Sequence, residues 1–319
     1  MKENKSCAFK TSIGGQALIE GILMRGPKKQ SIVCRTAEGL VEKVEELKVG
    51  KDKYPILGWP FIRGLFIFLS SMINGMSALM YSAELVPLEE QEEDKLDKWI
   101  KEHFSEEKAT KIIIYVAVVL GIALSLFLFI FLPAFIVGII KPLTANYVVR
   151  NLSEGVVRVA ILLIYMKACT AMGDIKRLFS YHGAEHKTIF CYEAGLPLTV
   201  ENVRIQTRHH PRCGTSFLFV VIFVSILFSS VVFGIWPITN AFLRTLIHLL
   251  LLPLVVGVTY EFNRWVGRHV QESGIAKLLT APGMWMQNFT TNEPDDGMIE
   301  VAIRSIELVL PSEKGKDEW

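Results

Sequence analysis

Residues 112–140 read IIIYVAVVLGIALSLFLFIFLPAFIVGII, 29 positions without a charged side chain. At 1.5 Å per residue this helix exceeds the ~30 Å that a bilayer's hydrocarbon core requires. Pro133 sits inside the run, so a tilt or a kink is expected. Two further runs, 216–236 (SFLFVVIFVSILFSSVVFGIW) and 241–260 (AFLRTLIHLLLLPLVVGVTY), are each about one bilayer long. A fourth, 156–175 (VVRVAILLIYMKACTAMGDI), is less pure. The chain is 51% hydrophobic and 21% charged, with mean hydropathy +0.36, too apolar for an ordinary soluble domain. The expected fold is mainly α: a polytopic membrane protein with about four transmembrane helices, one interfacial or re-entrant helix and a small N-terminal β-hairpin element.

Lysine and arginine orient these spans. With the N-terminus inside, residues 1–57 bring eleven of them to the cytoplasm and the loop 176–215 brings six. The outer loops hold Lys141 and Arg150, with Arg244 near an edge. The expectation is a multi-pass protein of the cell membrane with both termini cytoplasmic. A fifth span would export one basic region, so residues 58–82 (GWPFIRGLFIFLSSMINGMSALMYS) read as the interfacial or re-entrant helix. The first twenty residues lack the apolar core of a signal peptide, which leaves insertion to internal helices. Cys7, Cys34, Cys169, Cys191 and Cys213 form no CxxC and fit a reduced setting. The net charge of +2 gives no argument for a nucleic-acid partner. The lipid bilayer is the expected partner, with a homo-oligomer or a membrane-protein partner beside it.

Around the membrane domain, 112–260, the polar segments divide into an N-terminal motif region (1–57), an acidic helical connector (83–111), the loop 176–215 and a C-terminal region (261–319). Residues 31–49 (SIVCRTAEGLVEKVEELKV) predict two strands around an Ala-Glu-Gly turn. Asp295 and Asp296 precede Ile299, Ala302, Ile303, Ile306, Val309 and Leu310, the pattern of an N-capped amphipathic helix. Capping also explains those acids more simply than a place, with Glu293, in a shared carboxylate site.

The sharpest chemistry lies in the 176–215 loop. Tyr181-His182-Gly183-Ala184-Glu185-His186 places two histidines at i and i+4, where one helix face can present both imidazoles to one ion. His209-His210-Pro211-Arg212-Cys213-Gly214 follows, just before a span. Zinc takes nitrogen and sulfur ligands in tetrahedral geometry, so His182, His186, His210 and Cys213 are a plausible set, with His209 a bystander. Glu185 would be the general base and Arg212 or Arg25 a stabiliser of a developing anion. The spelling H-x-x-E-H is also that of a metalloprotease motif. It covers five residues and has no recognisable downstream Glu-bearing helix, so the protease reading is not adopted.

Two other constellations stand out. Gly14-Gly15-Gln16-Ala17-Leu18-Ile19-Glu20-Gly21-Ile22-Leu23-Met24-Arg25-Gly26-Pro27 reads as a glycine turn opening a helix, Gln16 and Glu20 on one face, or as a close-packed helix hairpin. Lys167, near the middle of the 156–175 span, must face protein or water, with Asp174 on the same face. Glu261 and Arg264 close the last span.

GGQALIEGILMRGP, YHGAEHKTIFCYE, HHPRCGTSFL and TTNEPDDGMIEVAI, in this order, resemble the YqhQ-like family of bacterial membrane proteins, domain of unknown function 1385. The resemblance spans nearly the whole chain. It implies a bacterial inner-membrane protein described as a metal-dependent enzyme, with His182, His186, His210 and Cys213 at the metal and Glu185 nearby. Zinc-dependent hydrolysis is the leading expectation. A non-enzymatic scaffold or assembly factor and a small transporter are its rivals.

Overall fold

The computed structural model describes residues 9–47, 55–86, 106–140, 146–270, 273–313 and 315–318. The chain divides into two compact units. One holds residues 1–86, 166–221 and 254–319, the other residues 87–165 and 222–253. Most of the acidic connector expected at 83–111 lies outside the described residues.

The first unit contains a four-stranded antiparallel meander: β1 (Gly14–Leu18), β2 (Gly21–Arg25), β3 (Lys29–Thr36) and β4 (Gly39–Glu46). The β3–β4 hairpin turns at Ala37-Glu38, as the sequence predicts. The helical reading of Gly14–Pro27 is wrong: these residues form the β1–β2 hairpin, with Leu18 opposite Gly21. Its turn is Ile19-Glu20, with Glu20 at φ 48° in the left-handed region. The misreading has a physical cause. Ile22, Met24 and Val33 pack on one face of the sheet, against Tyr181, Ala184, Met298 and Ile306. Leu18, Leu23, Ile32 and Cys34 pack on the other, against Ala78, Leu79 and Leu85. A strand buried on both faces shows a continuous apolar run in place of alternation.

Helix α1 (Ile62–Leu85) supplies that second layer. Its buried residues are Gly64, Gly75, Ala78 and Ser82, a stripe of small side chains that lets other backbone approach. A Cβ on Gly75 would meet the Gln16 amide, and one on Gly64 would meet the Tyr260 ring. Helix α2 (Glu106–Leu126) runs through a widened turn at Phe127–Phe131 into α3 (Leu132–Ile139), the turn adjoining Pro133. Helices α4 (Tyr147–Cys169) and α5 (Gly173–Glu193) meet at 100°. A short α6 (Val200–Arg204) precedes α7 (Gly214–Ile235), α8 (Ala241–His269), α9 (Gly274–Thr290) and α10 (Asp296–Glu307). Asp295 caps α10 by accepting from Met298 N (2.8 Å), as expected, and the helix lays its apolar face on β2 and β3.

Among the described residues, four helices are long and apolar enough to cross a membrane: α1, the α2–α3 stretch Tyr115–Ile139, Phe217–Ile235 within α7, and α8. The α4–α5 pair passes that test only jointly. The segment 58–82 therefore supplies one of the four, whereas the run expected at 156–175 is broken at 170–172. The break corrects the reading of Lys167 and Asp174. Lys167 lies exposed in the last turn of α4, and Asp174, also exposed, begins α5 beyond the bend, so they share no helix face.

Candidate metal centre

Helix α5 positions the site. Tyr181, Ala184 and Ile189 turn towards the sheet, and that packing aims His182, Glu185 and His186 from an adjoining face. The ligand atoms of His182, His186 and Cys213 lie within 4.8 Å of one another, with His182 Nε2 3.3 Å from Cys213 Sγ. Ligands of one tetrahedral zinc stand about 3.5 Å apart, so these three fit such an ion.

Both imidazoles are held from behind. His182 Nδ1–H donates to Thr290 O (2.8 Å), and His186 Nδ1–H donates to Arg208 O (2.6 Å). A carbonyl can only accept, so each ring keeps its proton on Nδ1 and turns Nε2 to the shared space. The carbonyls come from the end of α9 and from the loop before α7. That loop is itself fixed, because Gln287 and the His210 backbone bond both ways at 2.7 Å. Sequence reading missed these supports, since backbone carbonyls carry no residue signature. The fourth candidate, His210, stands apart from the trio. Its Nδ1 accepts from Arg212 N (3.3 Å) and its Nε2 is 3.6 Å from Glu193. His209 bonds Asn288 through Nε2 (3.0 Å).

Charge in the site follows from burial and neighbours. Burial pushes the Cys213 thiol up, but His182 and His186 outweigh it and hold the sulfur well below an ordinary thiol. Burial opposes the His182 imidazolium, yet Cys213 and Glu185 raise it to about 9. Glu185 moves the other way. Burial lifts its carboxyl above the ordinary range against the pull of the two histidines. Its Oε1 accepts from Gly15 N (2.9 Å), while Oε2 meets no hydrogen-bond partner among the described residues. Burial also raises Glu193, but His210, Arg212 and the Thr11 N–H outweigh it and keep the carboxylate ionised. Arg212 pairs with Glu193.

His182, Glu185, His186, His210, Arg212 and Cys213 line a cavity of about 410 Å³ floored by Gly14–Ala17 of β1. A second cavity of about 770 Å³, mostly apolar, shares Gly14, Gln16, Arg212, Cys213 and Gly214 with it and continues along Phe68, Met72, Met76, Phe217 and Val266. Arg25 lies in neither. It lines a separate space with Ser71 and Asn74. Glu20 binds Arg177 and the Tyr181 hydroxyl (3.0 Å), Glu261 pairs with Arg63, Glu293 with Lys187 (2.6 Å) and Asp296 with Arg204 (2.5 Å).

A family model described as "Protein of unknown function (DUF1385)" matches residues 59–312. The chain belongs to this family. It is similar to the "Uncharacterized protein YqhQ" of Bacillus subtilis (strain 168), 32% identical over 302 residues that cover 93% of this chain and 92% of that protein. No solved structure matches. The DUF1385 match takes in His182, Glu185, His186, Arg208, Cys213 and Thr290, and so the whole trio with both carbonyls behind it.

Proposed function

We propose that this chain is a metal-dependent enzyme of the hydrolase type in the bacterial cell membrane, its site facing the cytoplasm. One observation carries the reading: two imidazoles with carbonyl-anchored Nδ1 atoms converge with a thiol of lowered pKa in one cavity. His182, His186 and Cys213 would hold zinc or a related divalent ion, which would supply Lewis acidity. Glu185 accepts a proton at Oε2, and Gly15 N–H fixes the direction of its carboxylate. Burial raises its carboxyl above the ordinary carboxylate range, which strengthens it as a base. Arg212 contributes positive charge to the wall common to both cavities. The apolar cavity suits a substrate with a hydrocarbon portion, such as a membrane-resident amphiphile. The lysine and arginine bias supports cytoplasmic termini.

Elemental analysis of detergent-purified protein, beside a His182→Ala/His186→Ala variant, tests the reading. Stoichiometric zinc or iron lost in the variant supports it. A metal-free wild type that also resists reloading removes it and favours a scaffold.

A further inference from the structure

The second unit buries a column of ionisable groups that the metal reading does not use. Arg150, Glu154 and Arg158 follow one another at i, i+4 and i+8 on α4, and Arg244 and His248 repeat the spacing on α8. With Asn151, each of these side chains belongs to a residue no more than 7% exposed. Glu154 divides its carboxylate between two guanidinium groups, Oε1 to Arg150 Nε (3.1 Å) and Oε2 to Arg244 Nη2 (2.8 Å). Arg244 also donates to Asn151 Oδ1 (2.7 Å) and Ile238 O (3.1 Å), and stacks over Phe233 at 3.8 Å. Phe233 in turn packs edge-on against His248.

The column has too little negative charge. Residues 108–165 and 222–253 contain one acidic side chain, Glu154, against the three buried arginines. Among the described residues no second carboxylate pairs with these arginines. Arg158 has no carboxylate within 4 Å among the described residues, and its Nη1 donates to Ser225 Oγ (3.2 Å). Four buried nitrogens meet no hydrogen-bond partner among those residues: Arg158 Nε, Arg244 Nε, Asn151 Nδ2 and His248 Nε2. Guanidinium and carboxamide nitrogens only donate, and a neutral imidazole donates from one nitrogen. Unpaired buried charge and unmet donors are both costly, and they persist where something satisfies them.

We propose that this column is a binding site for a small inorganic oxyanion of the phosphate or sulfate class. Such a ligand carries one or two negative charges, only accepts hydrogen bonds when fully ionised, and matches the guanidinium fork. Arg158 is its principal contact, because it is the arginine left without a carboxylate. The site is independent of the His182–His186–Cys213 trio.

Equilibrium binding of labelled inorganic phosphate to the wild-type chain in neutral detergent, at constant ionic strength set with chloride, tests the proposal without a variant. Saturable, stoichiometric binding competed by sulfate is expected, together with a saturable rise in the unfolding midpoint. Arg158→Met should abolish both responses while unfolding no earlier than wild type in phosphate-free buffer, because it removes a buried charge that no described carboxylate pairs. Arg158→Lys should retain a weakened response. No saturable binding to wild type, or binding that Arg158→Met leaves unchanged, overturns the site. An Arg158→Met protein that melts earlier while wild type ignores phosphate shows a purely structural arginine.

Discussion

Gln287 bonds the backbone of His210 as a neighbouring strand would: His210 N–H donates to Oε1 and Nε2–H donates to the carbonyl, both at 2.7 Å. One side chain thus ties α9 to the loop that carries the Arg208 carbonyl and Cys213. The arrangement of His182, His186 and Cys213 rests on that tie.

Gln287→Leu keeps the volume and removes both bonds, leaving a buried N–H and C=O unmet. Each unmet buried group costs ~1–3 kcal/mol. The variant should melt several degrees earlier and hold less metal per folded chain, read by thermal unfolding and elemental analysis. An unchanged melting midpoint would show the tie to be idle.

Cys213→Ser and His210→Ala should part company. The first removes a ligand atom from the trio, so bound metal should fall sharply. The second removes a ring that faces Arg212 and Glu193, so stoichiometry should survive in the folded fraction. Equal loss in both would restore His210 to the ligand set.

Gly183 has no room for a methyl group. A Cβ there would strike the Asn292 carbonyl, whose residue also bonds Phe179 O through its N–H (2.9 Å). Gly183→Ala should push that segment from α5, drawing Thr290 O off His182, at ~1–3 kcal/mol. Denaturant unfolding beside metal content checks it, and a change within ~0.5 kcal/mol would refute the close approach.

Glu193 links stability to acid. Its folded-state pKa lies below the ordinary value of 4.5. Its contribution is therefore complete above about pH 4.5 and fades as pH falls through the lower folded value. Glu193→Gln should flatten the acid limb of the stability profile below the ordinary value of 4.5. A parallel profile in the variant would assign that limb to other groups.

The α10 cap allows a local test. Asp295→Ala loses the bond to Met298 N and should cost ~0.5–2 kcal/mol. Asp295→Asn should recover most of it, by the same unfolding measurement.

Features encoded in local pattern were legible before the structure. The β3–β4 hairpin follows from its turn, α10 from its cap and period, and the His182–His186 pair from helical spacing. Features set by distant packing were not. β1 and β2 read as helix because both faces of the sheet are covered. Sequence adjacency could not show that Gln287 and Arg212 engage His210. Lys167 drew notice as a charge within an apolar run, yet it lies exposed in the last turn of α4, just before the bend. The buried arginines among the described residues are Arg150, Arg158 and Arg244, of which the first had been read as a loop residue and the last as lying near the edge of a span. Their i+4 spacings were visible, but only packing shows that a single carboxylate serves two of the three guanidinium groups.

The sheet ends differently on its two sides. At β1, Gly15 N–H is taken by Glu185 and, just past the strand, Ile19 N–H by Ser82 Oγ. At β4, the open edge presents Glu42, Lys43, Glu45 and Glu46. Neither margin invites another chain to add a strand, one being occupied and the other charged. Copies of this chain are thus kept from polymerising edge to edge through their sheets.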